Sequence, residues 1–114
     1  MSVERPTVAG WVAARTPAAP PELAQRLATR LGDRPAPDSA AVTAGCIDEA
    51  AALLAQLLSG GCTTRDAALD LLAADALATY AFEAAGEAPE RIDALARDAM
   101  ARLSAMGDER ALSG

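Results

Sequence analysis

The sequence predicts an all-α fold, a compact helical bundle of four main helices with a short N-terminal helix beside them. Three observations carry that expectation. Apolar residues recur at three- and four-residue spacing in four segments. Proline and glycine punctuate those segments where helices begin and end. β-Branched residues are few, and no stretch alternates apolar and polar with period two. A chain of 114 residues has the length of one domain, and 52% hydrophobic residues are enough to fill a core. Most of that share is alanine, and only Trp11, Tyr80 and Phe82 are aromatic. Leucines must therefore supply the buried area, while alanine-lined faces let backbones approach closely.

In TVAGWVAART, Val8, Trp11, Val12 and Arg15 fall at helical spacing, which predicts a short helix over about 7–15 within a segment, 1–20, that docks on the bundle. Gly10 weakens that helix. PPELAQRLATRLG follows. Pro21 suits a first helical turn, Leu23, Leu27 and Leu31 share a face, and Gly32 ends a helix over 21–31. RPAPD at 34–38 is a non-helical connector.

Asp38 or Ser39 then caps a helix over 39–59, closed by Gly60-Gly61. Its apolar side holds Val42, Cys46, Ile47, Ala50, Leu53, Leu54, Leu57 and Leu58, with Glu49 and Gln56 on the border. Thr63 or Thr64 caps the next, over 64–85, with Asp66 set against the N-terminal dipole. Pro89 opens the last, over 89–106, whose stripe is Ile92, Leu95, Ala96, Ala99, Met100, Leu103 and Met106. Residues 21–106 form the bundle domain, and 107–114 are expected to fray.

The helix over 64–85 raises the main question. On a helical wheel Leu69, Leu72, Ala76 and Tyr80 take one side, while Leu71, Ala78 and Phe82 lie roughly opposite Leu77. Only Glu83, Thr79 and the first turn with Arg65 and Asp66 face water in this reading. A helix so apolar all round is expected to be enveloped, by its own chain or by a second copy. The interface expected for a homodimer comprises Leu71, Ala74, Leu77, Ala78, Ala81 and Phe82, the alanines allowing close approach.

Composition excludes several kinds of chemistry. A net charge of −6 argues against a nucleic-acid partner. Arg26, Arg30 and Arg34 form the nearest thing to a basic stripe, and with Asp33 and Glu22 beside them they read as a solvated face. The chain holds no histidine, so Ser-His-Asp triads, Cys-His dyads and Glu-x-x-His metal sites are ruled out. Asp66 and Asp70 are better explained by the helix dipole than by a metal, and no metal or cofactor is expected. LSGGCTTRD lacks the lysine and spacing of a phosphate-binding loop.

Residues 67–86 are long enough to span a bilayer, but Asp70, Asp75 and Glu83 would each cost about 2.5–3.5 kcal/mol there, so no membrane span is expected. Pro17, Pro20 and Pro21 interrupt the region where a secretory signal would lie. Two free thiols fit a reducing cytoplasm. All ten basic residues are arginine, which with the alanine excess suggests a GC-rich bacterial coding sequence.

A few residues stand out as candidates. Asp75, between Leu71 and Phe82 on the wheel, is expected to be partly buried and to need an arginine or a helix N-terminus as partner, or else to act as an acid in an apolar pocket. Cys62, just before a helix N-terminus, is a candidate reactive thiol. A disulfide to Cys46 is not expected, since the intervening helix separates them by roughly 20 Å. Glu49, Leu53, Asp75, Tyr80 and Phe82 are candidates for a ligand site between helices. The stretch GCTTRDAALDLLAADALATYAFEAAG resembles the helix after the first aspartate-rich motif of all-trans polyprenyl synthases. It covers under a quarter of the chain and lacks the DDxxD pair, so no residue role is carried over. The functional expectation is a small soluble helical interaction or scaffold protein, homodimeric through apolar helix faces, with a further protein partner possible. The alternatives are a binder of an apolar small molecule, and a small enzyme or accessory subunit using Asp75 or Cys62.

Overall fold

The computed structural model describes residues 6–15, 17–60 and 65–113, with the backbone alone at 91 and 109–113. Among these residues the fold is all-α. Helix α1 spans Val8–Ala13, α2 Pro21–Leu31, α3 Ser39–Gly60, α4 Arg65–Ala85 and α5 Ile92–Ser113, the last entered through a 3-10 turn at Pro89–Arg91. Cys62 and the threonine caps expected at 63 and 64 lie outside the described residues.

Local signals explain the helix ends. Thr7 caps α1, its hydroxyl accepting from the Gly10 amide at 3.0 Å. Asp38 does the same for α3, accepting from the Ala41 amide at 2.9 Å. The N-terminal segment is pinned to the connector after α2: Val8 N–H donates to the Arg34 carbonyl at 3.0 Å, and Ala36 N–H donates to that of Pro6 at 2.9 Å.

Gly32 ends α2 at φ 58°, ψ −137°, a conformation that places the chain for the turn to Arg34. An L side chain is strained there, so Gly32→Ala should lower stability by about 1–2 kcal/mol although nothing obstructs the added methyl. Chemical denaturation reads this directly, and an unchanged midpoint would contradict the backbone assignment.

The centre of the molecule is the antiparallel α3–α4 hairpin, its most extensive interface. α3 buries Val42, Gly45, Cys46, Ile47, Ala50 and Leu53. α4 buries Ala73, Ala74, Leu77, Ala81, Ala84 and Ala85. Alanine along α4 brings the two backbones close enough for the Thr43 hydroxyl to donate to the Ala81 carbonyl across the seam at 3.2 Å. α1 and α2 complete the core with Val8, Val12, Leu27 and Leu31. Gly45 makes room for α1, because a β-carbon there would lie 3.1 Å from a Val8 methyl.

Two features of α5 differ from the sequence reading. The helix runs through Gly107 to Ser113, past the end at Met106 that the sequence suggests. No proline follows Gly107, and one glycine in an exposed helix costs only about 1 kcal/mol, too little to stop it. Its stripe is also used only along one edge. Leu95 is buried, but Ile92, Met100 and Leu103 remain exposed. The helix sits on α3 through that leucine and through Arg102, whose Nη1 lies 2.8 Å from Asp48 Oδ1.

α3 is the one described helix long and apolar enough to cross a membrane, by length and composition alone. Here its apolar side forms the core from Val42 to Leu53, Leu58 lies exposed, and its Asp48 and Glu49 are bound to arginines.

Candidate functional site

The helix expected to be enveloped is not. Leu77 is fully buried, but Leu71 is 55% exposed, Leu72 57% and Phe82 43%. The chain supplies neighbours on the Leu77 side and its flanks, so the strip farthest from Leu77 stays open to solvent. This corrects the expectation that, beyond the first turn with Arg65 and Asp66, only Thr79 and Glu83 face water, and it divides the expected interface. Ala74, Leu77 and Ala81 belong to the chain's own core, Ala78 is half-buried, and Leu71 and Phe82 are outside.

Asp75 also differs from expectation. It lies on this open strip, exposed, and no arginine pairs with it among the described residues. Its backbone carbonyl accepts from the Thr79 hydroxyl at 3.1 Å. A carboxylate so placed is solvated, which removes the need for a partner and leaves no apolar pocket around it. The ligand set does not converge either. Leu53 is in the core, Glu49 is held by arginines on the α2 side of α3, and Asp75 and Phe82 are on the outer strip. Tyr80 faces α1, edge-on to Trp11 at 6.5 Å between ring centroids, with the Arg15 guanidinium 3.9 Å from the Trp11 ring.

The arginine stripe, Arg26 and Arg30 on α2 and Arg34 in the connector after it, is paired with carboxylates of α3 and α4. Arg26 Nη1 contacts Asp70 Oδ1 at 3.1 Å, and Arg26 also reaches Asp66 at 3.5 Å. Glu22, expected beside the stripe, pairs instead with Arg65. Glu49 takes Arg34 Nη2 at 2.7 Å on one oxygen and Arg30 Nε at 3.3 Å on the other. The second contact lacks hydrogen-bond alignment, which leaves the buried Arg30 Nε–H without a partner. Arg34 also reaches Asp48 at 3.8 Å, Asp48 holds Arg102, and Arg102 Nε contacts Asp98 at 3.2 Å. The Asp48 and Asp98 carboxylates hold Arg102 more firmly protonated than usual, the hydrogen bond to Asp48 chiefly.

Charges from α2, α3 and α5 thus alternate in one chain, with Glu49 at 14% side-chain exposure as its most buried member. Glu49→Ala should cost about 2 kcal/mol, below the figure for a fully buried pair because its arginines are partly solvated. Urea denaturation of this variant beside Arg34→Ala tests it. Additive losses would show that the two residues do not interact.

Beyond the outer strip, the structure adds a feature no local sequence pattern announced. A cleft of about 460 Å³ opens where α5 crosses the end of the hairpin, its walls drawn largely from alanines of three helices. No group of metal-binding side chains occurs among the described residues. Comparison with protein-family models, with curated proteins and with solved structures finds no match to this chain.

Proposed function

We propose that this protein is a small helical interaction module that works in the cytoplasm as a homodimer, joined through the outer strip of α4. The observation that carries this reading is the exposure of Leu71, Leu72 and Phe82 on the helix that also forms the core. Large apolar side chains left exposed on a helix that also forms the core suit a surface that a partner covers.

A second copy suits the shape of the strip. Leu71 and Phe82 stand at its two ends, with the small residues Asp75, Ala78 and Thr79 between them. Two antiparallel copies of α4 would set each Leu71 against the other's Phe82 and each Ala78 against the other's Asp75. Such a self-complementary contact is what twofold symmetry requires. The chemistry within the chain favours binding over catalysis. Histidine is absent, Asp75 stands alone in solvent, and the Cys46 thiol is buried and its pKa pushed up to about 12.

Sedimentation velocity at low micromolar concentration should give the mass of two chains. Leu71→Glu and Phe82→Glu should each give a folded single chain with the parent's helical circular dichroism, because both positions are exposed in the single chain, and should lose only the part of the parent's stability that association supplies. Asp75→Asn, which removes a like charge near the twofold axis, should tighten association. A parent protein that stays single at tens of micromolar, or a dimer indifferent to both glutamates, would refute the reading.

A further inference from the structure

The cleft between α3, α4 and α5 is separate from the outer strip. α3 contributes Ala44 and Ile47 to it, α4 contributes Ala85, and α5 contributes Ala94 and Leu95. Its volume of about 460 Å³ lies within the range of small-molecule sites, roughly 300–1,000 Å³. Alanine walls cannot swing in to fill the space as longer side chains would, so the opening persists unless α5 itself moves.

The polar groups at its rim decide what could enter. Arg102 is occupied twice, by Asp48 at 2.8 Å and by Asp98 at 3.2 Å. The Thr43 hydroxyl is committed to the Ala81 carbonyl at 3.2 Å. A charged ligand would have to compete with Asp48 and Asp98 for Arg102 or leave its own charge facing methyl groups, and either weakens its binding. An uncharged one meets neither obstacle and gains contact with the aliphatic walls. Among the polar side chains one remains unused: the hydroxyl of half-buried Ser39, in the cleft wall, has no protein hydrogen-bond partner among the described residues.

We infer that this cleft binds an uncharged, mainly aliphatic small molecule carrying a single hydroxyl or carbonyl, which meets Ser39. The inference does not depend on the dimer, since the cleft uses neither Leu71 nor Phe82.

Nile red, a neutral dye with one ring carbonyl, serves as the probe. It should bind the full chain saturably, one dye per chain, and 1-decanol should displace it at least tenfold more effectively than decanoate or decylammonium. Ala44→Trp and Ala94→Phe, both at exposed wall positions, should weaken dye binding at least tenfold while leaving the circular dichroism spectrum and melting temperature unchanged. Ser39→Ala should weaken decanol severalfold and leave decane unaffected. Leu71→Glu and Phe82→Glu should bind the dye as the parent does. The inference is overturned by non-saturable binding, by equal displacement with the charged decyl compounds, or by dye binding that survives both wall variants yet is lost with Leu71→Glu.

Discussion

Leu77→Ala is expected to remove about 4 kcal/mol of stability and to lower the melting temperature by roughly 15 °C. Leu77 is fully buried in the middle of α4, and its same-helix neighbours in the core are Ala73, Ala74, Ala81, Ala84 and Ala85. A cavity left by a truncated leucine shrinks only when adjacent side chains can move into it, and methyl groups cannot reach. The cost therefore belongs in the upper part of the range for such truncations, about 2.7–5.0 kcal/mol. Against a total of about 5–15 kcal/mol for a domain, one residue would account for a large share. Leu77→Met, which keeps the volume, should lose less than about 1.5 kcal/mol. Thermal and urea unfolding of the two variants together make the test: a loss below about 1 kcal/mol for the alanine variant would mean that the hairpin seam does not close around Leu77.

The helices were legible because their signals are local. Pro21, Asp38 and Pro89 open helices where start signals belong, and Gly32 sits at the one positive φ among the described residues. What failed was anything that depends on how many neighbours a helix acquires. A helical wheel shows that Leu71 and Phe82 point away from Leu77, but not whether another element arrives on that side. None does within the described chain. Arg26 and Arg34 read as solvated because their carboxylates are remote, Arg26 on α2 pairing with Asp66 forty residues on and Arg34 in the connector with Glu49 fifteen on. Ile92, Met100 and Leu103 carry a core-like period, yet Leu95 and the Arg102–Asp48 pair hold α5 by its neighbouring edge. The cleft was illegible for a related reason, being lined by alanines whose separate helices offer no shared sequence pattern.

A second large effect is expected in alkali. Cys46 is fully buried, and that burial raises its thiol from an ordinary 9.0 to about 12, with Arg34 opposing the shift. In the folded chain the thiol therefore keeps its proton through a range in which the unfolded chain releases it. Well below pH 9 the two states bind the proton equally and the contribution is complete. As pH rises from 9 towards 12, the unfolded state is favoured by up to about 1.4 kcal/mol per unit. Stability should fall by roughly 1.6 kcal/mol between pH 9 and 10.5 from this group. Cys46→Ala should begin less stable, through the lost sulfur, but show a correspondingly flatter decline over the same interval. Urea midpoints at several alkaline pH values measure the slopes. Peptide mapping after iodoacetamide treatment gives an independent reading, with the Cys46 peptide labelled only once denaturant is present. Equal slopes for parent and Cys46→Ala, or ready labelling of Cys46 in the native protein, would show that this thiol is not sealed between α3 and α4.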